Sequence, residues 1–106
     1  MSQPPTRRQK LEALLAQEPD DPFLKYALAM ECANEGDDHA AVDWFQRLTQ
    51  EHPDYIAGYH QFGKLLLRLG HVQEAEAVLQ RGIARARQLG DLHAAEEMEA
   101  LLTSQA

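Results

Sequence analysis

Apolar side chains recur three and four residues apart along most of this chain, and polar side chains fill the positions between them. The clearest case follows residue 37, where four apolar residues share one side of a helix; they are Ala41, Trp44, Phe45 and Leu48. This spacing is typical of a helix that packs one face on a core. No segment alternates as a strand does, so the pattern predicts an all-α fold.

Capping and turn residues divide the chain into six predicted helices. Thr6 with Gln9 has the capping-box pattern, Asp21 before Pro22 is a typical helix start, and glycines are typical of helix ends. The predicted helices cover residues 7–17, 22–35, a stretch from Asp37 or Asp38 towards Pro53, a stretch from Pro53 to Gly70, 72–88 and 91–103. Residues 1–6 are predicted to be a flexible tail.

Each helix is predicted to bury an apolar stripe. The predicted core contains Phe45, Tyr59, Phe62, Leu66, Val78 and Leu79. The first helix is expected to turn Leu11, Leu14 and Leu15 inward, and the last helix Leu92, Ala95, Met98, Leu101 and Leu102. Cys32 falls in an apolar row and is interpreted as a small buried side chain.

Three features of the sequence return after 34 residues. Pro19-Asp20 returns as Pro53-Asp54, Gly36 as Gly70 and Ala41 as Ala75. The chain therefore contains two copies of one helix-turn-helix unit, placed end to end. Stacked units of this kind bury their apolar faces against each other and leave a curved surface that usually holds another protein.

The second copy carries an aromatic residue, a large residue followed by glycine, and small residues at set distances; they are Tyr59, Phe62, Gly63, Leu66, Ala75, Leu79 and Gly82. This pattern resembles the tetratricopeptide repeat family, whose unit of about 34 residues has such residues at these places. The first copy is looser, with Lys25 at the aromatic place and Leu48 at the place of the second alanine.

The resemblance implies a right-handed superhelical stack of antiparallel helix pairs. It extends over residues 7–103 as one domain, with a partial capping helix at 7–18, repeats at 22–55 and 56–89, and a capping helix at 91–103. Gly63 and Gly82 lie inside predicted helices, where glycine is less stable than alanine by about 1 kcal/mol. Close approach of two helices is expected to compensate for this loss.

Composition narrows the classes of partner. The 106 residues are 44% apolar and 25% charged, with a net charge of −7. Binding to nucleic acid or to an anionic membrane needs a basic face, so neither partner is expected. The single cysteine excludes an internal disulfide, and no run approaches the ~20 apolar residues of a membrane span. A cytoplasmic protein is expected.

Patterns typical of catalysis or metal binding are missing from the sequence. The five histidines, at positions 39, 52, 60, 71 and 93, never have the spacing that places two imidazoles on one helical face, and there is no glycine-rich phosphate loop. We therefore expect no enzyme, no cofactor and no metal, but a non-enzymatic interaction module or adaptor. The alternative is an assembly module that forms a homodimer through its stack ends or its groove.

The candidate binding surface starts on the second predicted helix, which is apolar on two sides. Its row of Phe23, Tyr26, Met30 and Ala33 either packs under the first helix or lines the inner curve of the stack, where the resemblance implies that ligands bind. Adding 34 to Tyr26, Met30 and Asn34 gives His60, Lys64 and Arg68, so the two rows should lie side by side. The predicted ligand-binding residues on this concave face are Phe23, Tyr26, Met30, Asn34, His60, Lys64, Leu67 and Arg68.

This surface combines an apolar shelf with a basic ridge. Lys64 and Arg68 stand four residues apart in an acidic chain, either as a ligand contact or as a solvated pair. They suit a protein or peptide segment with an apolar anchor followed by Asp, Glu or a free carboxylate. The two-carboxylate clamp of some family members is absent, because Tyr26, Met30 and Gln61 occupy three of its places. His60 is expected to strengthen acidic-ligand binding as the pH falls through about 6.5.

Overall fold

The computed structural model describes residues 3–105, and these residues form six α-helices and no strand. The helices are α1 (Arg7–Gln17), α2 (Pro22–Asn34), α3 (Asp38–Glu51), α4 (Ile56–Arg68), α5 (Val72–Gln88) and α6 (Leu92–Thr103). The all-α prediction is confirmed, and α4 begins just after the Pro53-Asp54 turn rather than within it. Residues 3–6 have no regular structure, and residues 1 and 2 of the predicted tail lie outside the described residues.

The chain divides into two compact units at Leu48, within α3. The first unit contains α1, α2 and most of α3, and the second unit contains the end of α3 with α4, α5 and α6. The predicted organisation of residues 7–103 as one domain stays a prediction.

Two helices of the first unit begin at the predicted caps. The Thr6 hydroxyl accepts a hydrogen bond from the Gln9 amide at 3.1 Å, and the Gln9 side chain accepts one from the Thr6 amide at 2.9 Å. The Asp21 carboxylate accepts from the Phe23 amide at 2.8 Å, and Pro22 takes the first helical position. These contacts satisfy amide groups that the first turn of a helix leaves without a helical partner.

Glycine ends three helices in the same conformation. Gly36, Gly70 and Gly90 each have a φ of 81°, which side chains disfavour and glycine tolerates. The amide of the residue after each glycine donates a hydrogen bond to a carbonyl of the preceding helix. These bonds run from Asp37 to Cys32 at 2.9 Å, from His71 to Leu66 at 2.8 Å and from Asp91 to Ala86 at 2.8 Å. This is the Schellman arrangement, and it makes each connection a tight turn.

Aspartate follows the glycine in two of these turns and starts the next helix. Asp37 accepts from the Ala40 amide at 3.3 Å, and Asp91 accepts from the Ala94 amide at 3.2 Å. Each of these two Gly-Asp pairs therefore ends one helix and caps the next, as the sequence predicts.

In the first unit, α1 packs on α2. Leu15 of α1 is buried, and Leu28 and Cys32 of α2 are fully buried, as predicted for the cysteine. The prediction for Leu14 is wrong, because its side chain is 50% exposed. Leu15 lies seven residues after Arg8, which pairs with Asp37 just beyond α2, so both residues share one side of α1. Leu14 lies about 100° away from Leu15 around the helix.

Charged side chains border the contact of α1 with α2. Arg8 Nη1 lies 2.9 Å from Asp37 Oδ2 and 3.3 Å from Glu35 Oε2, and Arg7 Nε lies 3.3 Å from Glu31 Oε2. The hydrogen bond from Arg8 is the main reason that the pKa of Asp37 is lowered. The carboxylate that starts α3 is therefore also an ion-pair partner of α1.

In the second unit, α5 packs on α4 and on α6, and α6 also packs on α4. A Cβ atom at Gly82 of α5 would lie 2.5 Å from Tyr59 Cβ and 2.8 Å from Met98 Sδ. A Cβ atom at Gly63 of α4 would collide with the Leu79 side chain. The predicted close approach of helices at both glycines is confirmed.

The predicted core residues are buried; they are Phe45, Tyr59, Phe62, Leu66, Val78 and Leu79. The Tyr59 hydroxyl donates to the Pro53 carbonyl at 2.8 Å, which ties α4 to the turn before it. The last helix buries Ala95 and Met98, but the prediction for Leu92 is wrong, since it is 61% exposed. Leu92 lies roughly a quarter of a turn around α6 from the centre of the side that Ala95 and Met98 form.

Over residues 3–105, no helix combines the length and the apolar character that a membrane crossing requires.

Replacing Gly82 by alanine should destabilise the second unit. The added methyl group would collide with Tyr59 and Met98, and such overpacking costs typically ~1–3 kcal/mol. The collision should outweigh the ~1 kcal/mol that alanine gains over glycine in a helix. Urea denaturation gives the free energy of unfolding of both proteins.

Ala77→Gly is the matched control for this substitution. Ala77 is exposed on the same helix, so this change measures the glycine-alanine difference without a collision. We expect Ala77→Gly to lower the stability by about 1 kcal/mol. A Gly82→Ala protein more stable than the native protein would show that the helices do not approach closely at this position.

Candidate functional site

The candidate site in the second unit is built on the α4 residues that do not enter the core. His60 is half-buried, Leu67 is half-buried, and Lys64 and Arg68 are exposed. His60, Lys64 and Arg68 follow one another at four-residue spacing and so share one side of α4. The predicted basic row is therefore present on the surface of the second unit.

Helix α6 contributes a carboxylate to this surface. Glu97 Oε2 lies 3.8 Å from His60 Nδ1, and the other oxygen of Glu97 contacts Nε2 of His93 on its own helix. Glu97 is not among the binding residues that the sequence predicts. In the structure it forms part of the candidate site.

An open depression of about 370 Å³ lies between α4 and α6. It is lined by His60, Lys64, Glu97, Ala100 and Leu101. Two apolar side chains from α6 thus lie beside one cation, one imidazole and one carboxylate. Such a combination can hold an apolar side chain and orient a charged group next to it.

Lys64 is the uncompensated cation of this depression. It makes no ion pair with any residue in the described part of the chain. Glu97, the nearest carboxylate among the lining residues, is directed instead to the two histidines. An anion that enters the depression can therefore meet the Lys64 ammonium group without first breaking an ion pair of Lys64.

The environment of His60 favours its neutral form. Burial lowers the pKa of His60, the nearby Lys64 lowers it further, and Glu97 opposes both effects. Since burial is the largest of these causes, His60 becomes charged only at a pH below its usual value of about 6.5. The pH of about 6.5 that the sequence suggests for the protonation of His60 is therefore too high.

The other predicted binding residues lie on α2, in the first unit. Phe23 is 59% exposed, Asn34 is exposed, and Tyr26 and Met30 are half-buried. Burial raises the pKa of Tyr26, which keeps its hydroxyl protonated at neutral pH. The expected placement of this α2 row beside the α4 row stays a prediction.

The remaining reactive side chains form no second site within residues 3–105. No group of three or more metal-ligating side chains is present there. Cys32 is fully buried, and burial raises the pKa of its thiol, which opposes formation of the nucleophilic thiolate.

Sequence reasoning missed Glu97, Ala100 and Leu101. The signal that could have found them is the Gly90-Asp91 turn, which resembles the Gly36-Asp37 turn. A tight turn makes α6 run back along α5, and a helix that returns in this way meets the helix before α5 as well. The α6 residues on that side then line the same surface as the α4 row.

The comparisons with known proteins agree with this architecture. A family model described as tetratricopeptide repeat matches residues 56–88, which cover α4 and α5. A TPR repeat-containing protein of Pseudomonas aeruginosa is 32% identical over 92 residues, which is 87% of this chain and 88% of that protein.

Solved structures extend the similarity. A solution NMR structure of a tetratricopeptide repeat domain protein from Salinibacter ruber is 32% identical with a TM-score of 0.77, over 81% of this chain and 87% of that chain. The solution structure of a Bordetella parapertussis protein is 26% identical with a TM-score of 0.80, over 95% of this chain and 88% of that chain. These similarities confirm an all-α helical repeat fold.

The free energy of unfolding should depend on pH through His60. Because the pKa of His60 is lowered in the folded state, the unfolded chain takes up this proton first, at about pH 6.5. The stabilising contribution is fully present above that pH and is lost as the pH falls towards the folded-state pKa. Urea denaturation at a series of pH values measures this slope.

His60→Gln should reduce the slope, because glutamine does not titrate. His71→Gln is the matched control, since His71 lies exposed in the turn before α5. An unchanged slope in the His60→Gln protein would show that His60 is not held in its neutral form.

Proposed function

This chain belongs to the tetratricopeptide repeat family, and on that premise we propose that it is a non-enzymatic interaction module that binds a segment of a partner protein. The observation that carries the proposal is the depression between α4 and α6, where Ala100 and Leu101 lie beside the unpaired cation of Lys64. Repeat proteins of stacked helices commonly use such surfaces to hold other proteins.

The ligand is a peptide segment with an aliphatic side chain followed closely by a carboxylate. The aliphatic side chain packs on Ala100 and Leu101, and the carboxylate pairs with Lys64. A charge-assisted contact of this kind is stronger than one between neutral groups and fixes the orientation of the segment. The carboxylate belongs to Asp, Glu or a chain end.

Glu97 tunes this site by competing with the ligand. Its carboxylate lies 3.8 Å from His60 and contacts His93, so it already places a negative charge at the depression. A ligand carboxylate near Lys64 would be repelled by Glu97 across the same depression. The site therefore selects ligands whose apolar anchor contributes enough binding energy to offset this repulsion.

The proposal also includes further residues of α4 and a row of residues on α2, each described on its own unit. Leu67 and Arg68 continue the α4 row, and Phe23, Tyr26, Met30 and Asn34 form the α2 row of the same proposal. The 59% exposure of Phe23 supports it, because a large exposed aromatic side chain is a typical anchor for a partner. The protein acts in the cytoplasm, where Cys32 stays a reduced thiol.

A charge reversal at Lys64 tests the proposal. The probes are short synthetic peptides in two matched sets, one with an aliphatic residue before a carboxylate and the other with that carboxylate converted to an amide. The native protein should bind members of the first set more tightly than their amide forms, and Lys64→Glu should remove this preference. Fluorescence anisotropy measures the dissociation constants.

Two further variants separate the site from a general effect of charge. Arg47→Glu makes the same change of charge on an exposed residue of α3 and should keep the preference. Glu97→Gln should bind the acidic peptides several-fold more tightly, because it removes the competing carboxylate. Equal binding of both peptide sets by the native protein would contradict the proposal.

The pH dependence of binding gives an independent check. Affinity for an acidic peptide should rise as the pH falls below about 6.5, because His60 gains a positive charge beside the ligand carboxylate. The same peptide should bind His60→Gln with less dependence on pH.

A further inference from the structure

A second surface of the second unit lies on the other side of α6. An open depression of about 350 Å³ runs between α5 and α6 and is lined by Gln80, Ile83, Ala84, Arg87, Glu99 and Leu102. None of these residues lines the depression between α4 and α6. We call this second surface the α5/α6 groove.

The middle of the α5/α6 groove is apolar, and α6, which forms one side of it, is acidic. Ile83, Ala84 and Leu102 provide the apolar part. Glu99 is paired with Arg87, whereas the neighbouring Glu96 is exposed and makes no ion pair with any residue in the described range. Helix α6 carries three acidic side chains and neither Lys nor Arg. The groove therefore fits a helix with one apolar anchor and a nearby cation.

The exposed surface of α1 carries both an apolar side chain and a cation. Leu14 is 50% exposed, and Lys10 lies one turn before it, exposed and without an ion pair to any described residue. Arg7 and Arg8 are already paired with carboxylates of the first unit, so Lys10 is the cation that stays available. Helix α1 carries three basic side chains and one acidic side chain, the opposite balance to α6.

The lengths of the two helices also agree. Helix α1 has 11 residues and α6 has 12, so α1 can lie along α6 over its full length. In the second unit α6 already packs against the pair formed by α4 and α5. A helix in the α5/α6 groove would pack against the next pair in the same manner.

We propose that α1 of one copy docks in the α5/α6 groove of a second copy. Leu14 packs on Ala84 and Leu102, and Lys10 pairs with Glu96. The contact joins two different surfaces, so each bound pair still offers one free α1 and one free groove. Such a head-to-tail contact adds further copies as the protein concentration rises and does not stop at a symmetric dimer.

Analytical ultracentrifugation of the native protein, from low micromolar to near-millimolar concentration, tests the assembly. The mean mass should increase with concentration and pass beyond twice the monomer mass. A monomer at every concentration would overturn the proposal, and so would a mass that stops at the dimer.

Two variants block opposite surfaces of the contact. Leu14→Glu places an acidic side chain on α1, and Ala84→Glu places another in the apolar middle of the groove; both residues are exposed, so the fold should be retained. Each variant alone should be monomeric, with a self-association constant weakened at least tenfold. Circular dichroism and urea denaturation confirm that both are folded.

The mixture of the two variants is the decisive experiment. Leu14→Glu keeps an intact groove and Ala84→Glu keeps an intact α1, so an equimolar mixture should form a one-to-one dimer and nothing larger. The double variant carrying both changes should not join either protein. A mixture that stays monomeric would overturn the head-to-tail contact.

The control variant Val72→Glu should assemble like the native protein. Val72 is exposed at the start of α5, away from the groove residues, and the change adds one negative charge. A loss of assembly in this variant as well would show that net charge, rather than the α1 contact, governs association, and would overturn the proposal.

Discussion

The second unit depends on the bare backbone of α5 at Gly82. A side chain there would collide with Tyr59 of α4 and with Met98 of α6, so the absence of a side chain lets both helices reach the same residue. Glu97 directly precedes Met98 in sequence, and His60 directly follows Tyr59. The contact that closes the core therefore also brings the imidazole and the carboxylate to a separation of 3.8 Å. The close approach at Gly82 therefore determines both the packing of the second unit and the placement of His60 beside Glu97.

Local sequence signals predicted the elements of this fold well, because each signal acts through neighbouring residues. The glycines at 36, 70 and 90 need only their own backbone freedom to end a helix, and Asp37 and Asp91 need only the next turn to cap one. The resemblance to the repeat family and the cost of glycine inside a helix identified Gly63 and Gly82 as positions where helices approach closely. Core residues followed from the spacing of apolar side chains along each helix.

The candidate site was only half predictable, because it depends on which side of α6 faces α4. The row of His60, Lys64 and Arg68 follows from the spacing along α4 alone. Glu97 joins it through a contact between helices separated in sequence by α5, and no local pattern distinguishes Glu97 from Glu96. The predictions for Leu14 and Leu92 were wrong for a related reason. Each residue is apolar and at helical spacing, but the neighbouring helix covers an adjacent side of the helix that carries it.

Helix α6 explains how a short repeat array can present two separate surfaces. Consecutive residues of a helix point about 100° apart, so Leu101 lines the depression beside α4 while Leu102 lines the groove beside α5. The acidic side chains divide in the same way, since Glu97 contacts histidines and Glu99 contacts Arg87. A helix that only solvated the end of the array would leave these carboxylates in water. Their contacts on opposite sides show that α6 separates two surfaces that can be altered independently.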